Sequence, residues 1–107
     1  MIKLSVMYPM SDGARFDFDY YCNKHIPMVL ALLGGACKGV MVDQGLCGAN
    51  PQLPATHLAA AQLLFASVPE FEAAFGPVAA QAMADLPNFT DIQPLVQISQ
   101  VRLQLPA

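Results

Sequence analysis

His57-Leu58-Ala59-Ala60-Ala61-Gln62-Leu63-Leu64-Phe65 reads as one strand, and its pattern constrains the rest of the chain. Side chains alternate between the two faces of a strand, and here both alternating sets are apolar except for Gln62. Burial on both faces is therefore expected. Immediately downstream the period changes. Ser67 and Glu70 have the spacing of a capping box, and Phe71, Ala74, Phe75, Val78, Ala82 and Leu86 then follow on one helical stripe. Gly76-Pro77 is expected to kink this helix, and Leu86-Pro87-Asn88 to end it. A polar loop, Asn88 to Pro94, leads to a final alternating segment over 95–105.

Upstream, residues 36–47 read as a strand centred on Val40, Met41 and Val42, followed by a loop from Ala49 to Thr56. Residues 2–8 alternate Ile, Leu, Val and Tyr against Lys, Ser and Met, the period of another strand. Between them lie a connection containing Asp12-Gly13 and a helix over about 18–33, with Asp17 as N-cap, Asp19 in the first turn and Gly34-Gly35 as the stop. Pro27, pointing roughly opposite His25, is expected to kink it.

The order β-α-β-β-α-β, with right-handed crossovers, predicts an α+β, ferredoxin-like fold: a four-stranded antiparallel sheet with both helices on one face. Two helices cover one side only. At 107 residues the chain has room for a single domain, 1–107, with one core. Hydrophobic residues make up 55% and charged residues 12%, about half the usual ~25%, so there is more apolar surface than a monomer needs to hide. A homodimer closed through the bare sheet face is the expected outlet.

Several partners are disfavoured by the same composition. The longest apolar stretch, Ile26 to Cys37, is interrupted by Pro27, Gly34 and Gly35 and falls short of the roughly 20 residues a bilayer requires, so no membrane partner is expected. The first residues lack a signal-peptide pattern and read as a mature strand. No Lys or Arg lies between Lys38 and Arg102, and the net charge is −3, so a nucleic-acid partner is not expected. Three cysteines, Cys22, Cys37 and Cys47, with no Cys-x-x-Cys pair, fit reduced thiols in a cytoplasm.

One titratable group falls on an apolar face. On a wheel of 100° per residue, Phe18, Tyr21, Cys22, Met28, Val29 and Leu32 surround His25. A buried imidazole needs a hydrogen-bond partner, so His25 is either a core histidine satisfied by a carbonyl or tyrosine, or part of a ligand pocket. Tyr21, one turn earlier, is placed to orient it or to bind a substrate oxygen, or else serves as a core aromatic.

Other candidates carry plainer readings. Cys22 and His25 have i, i+3 spacing, but His57 and the other cysteines supply no second half of a metal site. Cys22 as a nucleophile would need a positive partner. Asp91 beside Thr90 reads as turn chemistry, and His57 as a solvated or interface histidine. Gly34-Gly35 lacks the companions of a phosphate-binding loop.

Two runs resemble the EthD family, named for a protein of ethyl tert-butyl ether degradation: Asp17 to Val29, with Tyr20-Tyr21, Lys24-His25 and Ile26-Pro27-Met28, and Ala84-Asp85-Leu86-Pro87-Asn88-Phe89-Thr90-Asp91-Ile92-Gln93-Pro94. Tyr8-Pro9, Phe65 and Phe71 to Gly76 support the likeness. The resemblance implies a dimeric α+β barrel with a pocket between each sheet and its own helices. Such proteins include cofactor-independent isomerases, cyclases and oxygenases.

The expectation is a cytoplasmic homodimer that binds a small hydrophobic or aromatic molecule, aromatic or lactone-like, in that pocket. His25 and Tyr21 are the candidate catalytic pair, and Tyr8, Cys22, Met28 and Phe65 the candidate ligand-binding residues. No metal, flavin or nucleotide cofactor is expected. The alternatives are a noncatalytic binding or accessory protein of a degradation pathway, and a structural dimer with no open pocket.

Overall fold

The computed structural model describes residues 1–106. Four strands, β1 (Ile2–Pro9), β2 (Gly39–Gln44), β3 (His57–Phe65) and β4 (Leu95–Gln100), form one antiparallel sheet in the order β2-β3-β1-β4. This is the ferredoxin-like α+β arrangement. The alternation read from the sequence sets the faces. Ile2, Leu4 and Tyr8 on β1 and Ala59, Ala61, Leu63 and Phe65 on β3 are buried against the helices, and the register pairs Leu4 with Leu63 and Ile2 with Phe65.

On the opposite face β3 is only half covered: Leu58, Ala60, Gln62 and Leu64 keep partial exposure. Ser5 is buried there by donating its hydroxyl to Gln62 Oε1 at 2.8 Å. Burial of β3 is thus complete on one face and partial on the other within a single chain. β4 stops at Gln100 rather than continuing to 105; residues 101–106 leave the sheet, with Leu103 and Leu105 more than 80% exposed.

The first helical run, 18–33, starts where expected. Asp17 Oδ1 accepts from the Tyr20 N–H at 3.0 Å, and Gly34, at φ +61°, ends the run in a conformation that L side chains avoid. Between these caps the irregularity expected at Pro27 takes another form. Residues Tyr21–His25 make a π-turn, in which the Ile26 N–H reaches back to the Tyr21 carbonyl, and α-helix resumes over Ile26–Leu33.

A π-turn holds an extra residue, so the rotation per residue falls below 100° and the wheel is redrawn. Tyr21, His25, Ile26, Val29 and Leu33 face inward, Met28 and Leu32 are half-buried, and Cys22 swings out to solvent. The inward placement of Cys22 is therefore corrected. Among the described residues no helix is long and apolar enough to cross a membrane.

The second helical run is divided as its sequence suggests. Ser67 accepts from the Glu70 N–H at 3.3 Å to start Val68–Phe75, a 3-10 turn occupies Gly76–Val78, and Ala79–Ala84 completes the run before a further 3-10 turn at Leu86–Asn88. The following loop, polar in sequence, is not a solvated one. Phe89 is fully buried against Tyr8, Phe16, Tyr21 and His25, and Thr90 is buried with its hydroxyl donating to the Arg15 carbonyl. The Asp17 N–H donates to the Phe89 carbonyl at 2.8 Å, which ties this loop to the helix entrance.

Phe89→Ala should therefore behave as a core deletion and lower unfolding stability by about 3–5 kcal/mol in chemical denaturation, whereas Leu103→Ser on the exposed segment should change it by under about 0.5 kcal/mol. Equal effects of the two would contradict this placement of the loop.

Candidate functional site

The first helical run lays the Tyr21 and His25 rings nearly parallel, 14° apart in plane with centroids 5.4 Å apart, and the Phe89 ring leans on the imidazole at 4.6 Å. His25 is buried, and its Nδ1 lies 2.9 Å from Asp85 Oδ2. Asp85 follows the last α-turn of the second run, 60 residues away in sequence, so this pair bolts the two helical runs together. The other carboxylate oxygen accepts from the Tyr20 hydroxyl at 2.7 Å and from Asn88 Nδ2 at 2.8 Å.

The electrostatics follow from these bonds. Partial burial works against the charge on Asp85, but the bonds from Asn88, Tyr20 and His25, with the imidazole charge, outweigh it and hold the carboxyl below its ordinary 3.8. The Tyr20 hydroxyl is pushed up, first by its bond to that carboxylate. On the inner side, burial pushes the Tyr8 phenol up to about 12, opposed by the adjacent Tyr21 hydroxyl. Burial, then the neighbouring Tyr8 oxygen, raises Tyr21 further still. Both inner phenols are neutral around pH 7, and the bond between them uses one O–H and leaves the other as a donor.

Tyr8, Tyr21 and His25 form the polar part of the wall of a cavity of about 160 Å³ between the helices and the sheet. The rest is carbon, including Leu4, Val29, Leu63, Phe71 and Val96. With Nδ1 engaged by Asp85, a neutral imidazole carries its hydrogen there and its lone pair on Nε2, which has no partner among the described residues and is not sealed from solvent. This arrangement can accept a proton from a molecule in the cavity and return it.

Of the residues expected at the site, Tyr8, Tyr21 and His25 come together at the cavity. Cys22 does not line it, because the π-turn turns it outward. Met28 is half-buried and Phe65 fully buried, both packed in the core outside the cavity wall. Asp91 accepts from the Arg15 N–H at 3.0 Å across two loops, and His57 pairs with Thr56 beside a separate surface cleft. Among the described residues no three His, Cys, Asp or Glu side chains gather as a metal-holding group.

Asp85 was not singled out by sequence reasoning. The one available signal was its place in the second EthD-like run, since its 60-residue separation from His25 leaves no local spacing to read.

The bonds to Asp85 fix the imidazole tautomer and give stability a pH dependence. In long-range ¹H–¹⁵N spectra the neutral His25 ring should show its hydrogen on Nδ1; an Nε2–H tautomer would contradict the pairing. Because the folded carboxyl sits below its unfolded value, its contribution to stability is present above about pH 4 and is lost as pH falls through the lowered value. The stability gap between wild type and Asp85→Asn should accordingly shrink on acidification from about pH 5 towards pH 2, as read by denaturant melts.

The chain is similar over 98% of its length, and 95% of the other chain, to an EthD-like protein from Ralstonia eutropha, with 42% identity and a TM-score of 0.93. It shares the fold with a cofactor-independent oxygenase from Streptomyces nogalater, at 8% identity and a TM-score of 0.62 over 99% and 96% of the two chains. It does so too with the hydroxynitrile lyase of Passiflora edulis, at 15% identity and 0.61 over 98% and 96%. No curated protein sequence matches it. With the EthD domain model matching residues 13–93, the chain belongs to the EthD family.

Proposed function

We propose that this protein is a cofactor-independent enzyme that moves a proton on a small aromatic or lactone-like molecule held between its helices and sheet. The observation that carries the reading is His25 on the wall of an apolar cavity, with its Nδ1 held 2.9 Å from Asp85 behind that wall. Asp85 fixes the tautomer and stabilises the imidazolium that forms when Nε2 accepts a proton. The Tyr8–Tyr21 pair, kept protonated by burial, donates its free O–H to an oxygen whose charge grows as the C–H or O–H bond breaks. Proton abstraction of this kind is the first step common to isomerisation, cyclisation and cofactor-free oxygenation of an enolisable ring. The fold neighbours that are an oxygenase and a lyase lend the reading an analogy of scaffold only.

The active form is proposed to be a homodimer closed through the open face of the sheet. On that face Met41 and Leu95 are 64% and 55% exposed, beside half-covered Met7, Leu58 and Leu64. A groove of about 620 Å³ continues along the same face beneath residues 101–104. The three free cysteines fit a reducing cytoplasm.

Exchange of activated C–H hydrogens in small cyclic ketones and lactones in D₂O, followed by NMR, tests the chemistry. The wild type should catalyse exchange, and His25→Asn should lower the rate by about 10²–10⁴ while the compound still binds. Unchanged exchange in the variant would remove His25 from the reaction; binding without any exchange in the wild type would favour the noncatalytic reading. Light scattering should find a dimer at micromolar concentration, and Met41→Asp with Leu95→Lys should shift it to monomer. A wild-type monomer would contradict the proposed assembly.

A further inference from the structure

We propose that the cavity selects by charge, taking an uncharged single-ring molecule with its hydroxyl or carbonyl oxygen against His25, Tyr8 and Tyr21 and rejecting the corresponding carboxylate. This deepens the reading of the His25 cavity and rests on it. Size is the first support. The cavity of about 160 Å³ is close to the ~150 Å³ of a dry cavity that accepts benzene, so there is room for one ring.

The wall supplies the second support. Among the described residues no Lys or Arg lines the cavity, and the polar atoms come from two phenols and one imidazole. The basic side chains of the neighbouring segments are engaged elsewhere. Arg15 donates to the Pro87 carbonyl at 2.6 Å, and the exposed Lys24 ammonium sits 5.6 Å from the centre of the Tyr20 ring.

Asp85 supplies the third. If the His25 ring is neutral, a bound carboxylate adds a second anion beside Asp85 with no cation to meet it. If the ring is protonated, Asp85 at 2.9 Å already balances its charge, and the ligand carboxylate is again unmatched. An unpaired anion moved from water into a carbon-lined cavity carries a large desolvation cost in either case. A neutral oxygen avoids that cost. A ring hydroxyl donates to Nε2, and a carbonyl accepts from the free O–H of the tyrosine pair.

Phenol and benzoate, one ring each, are the probes. Titrated into the wild-type protein at about pH 7 and followed by the methyl resonances of Val29 and Leu63, phenol should bind at least about tenfold more tightly than benzoate. Asp85→Asn, which removes the resident anion, should narrow that gap. Equal affinities in the wild-type cavity would overturn the charge selection while leaving the cavity reading intact. Absence of shifts with both probes would overturn the cavity reading and this inference together. An unchanged gap in folded Asp85→Asn would overturn the part assigned to Asp85, and the wild-type comparison stands without the variant.

Discussion

A single carboxylate holds the helical layer of this protein together. Asp85 receives side-chain bonds from His25, Tyr20 and Asn88, and so joins the middle of the first helical run to the end of the second. Two helical runs lying side by side on a sheet have little reason to keep a fixed rotation about their axes if only carbon joins them, because apolar contacts are non-directional. Two of these directional bonds, from His25 and Tyr20, cross from one run to the other and restrict that freedom, and the third, from Asn88, steadies the carboxylate within its own run. The orientation of the imidazole, the tilt of Tyr21 against it and the space beneath both depend on this one junction.

A different set of contacts borders the cavity. The aromatic cluster of Tyr8, Phe16, Tyr21 and Phe89 packs edge to face at one end of the helix-sheet layer and props it open there. Small residues, Ala61 on β3 and Ala82 on the second run, lie opposite larger ones and leave the volume unfilled. Rings are rigid, so the gap does not collapse by rotamer changes as a methionine-rich core would allow. A polar edge of two phenols and an imidazole then faces carbon.

Much of this architecture was legible in the sequence because it is encoded by period and by local caps. Strand alternation in 2–8 and 57–65, Asp17 and Ser67 as N-caps and the glycine stop at Gly34 all depend on neighbours within a few residues. What could not be read depended on longer reach or on a change of period. The π-turn at Tyr21–His25 alters the angular step and moves Cys22 from the expected inward stripe to solvent. Phe89 stands alone among polar neighbours, so nothing in its own segment marks it as core, and Asp85 acquires its meaning only when the fold brings His25 to it. Alternation through Leu103 and Leu105 suggested a longer β4, yet an edge strand continues only while a neighbour offers backbone partners, and β1 runs out at Met1.

The remaining exposed apolar residues are divided between the two faces of the sheet. Met41 and Leu95 lie on the open face, away from the helices, while Val96 and Ile98 lie on the helix side of β4 and line the cavity. Successive residues of one edge strand thus face different surfaces: Leu95 the open face of the sheet, and Val96 the wall of the cavity. Because side chains alternate with a period of two, a shift of β4 by one residue would exchange these roles and put Gln97 and Leu95 against the cavity. Pro94, buried just before the strand, caps that possibility at its start, since its fixed φ and missing N–H prevent the ladder from extending backwards. Register at β4, which pairs Val96 with Val6 and Ile98 with Leu4, is therefore a condition for the cavity's apolar wall.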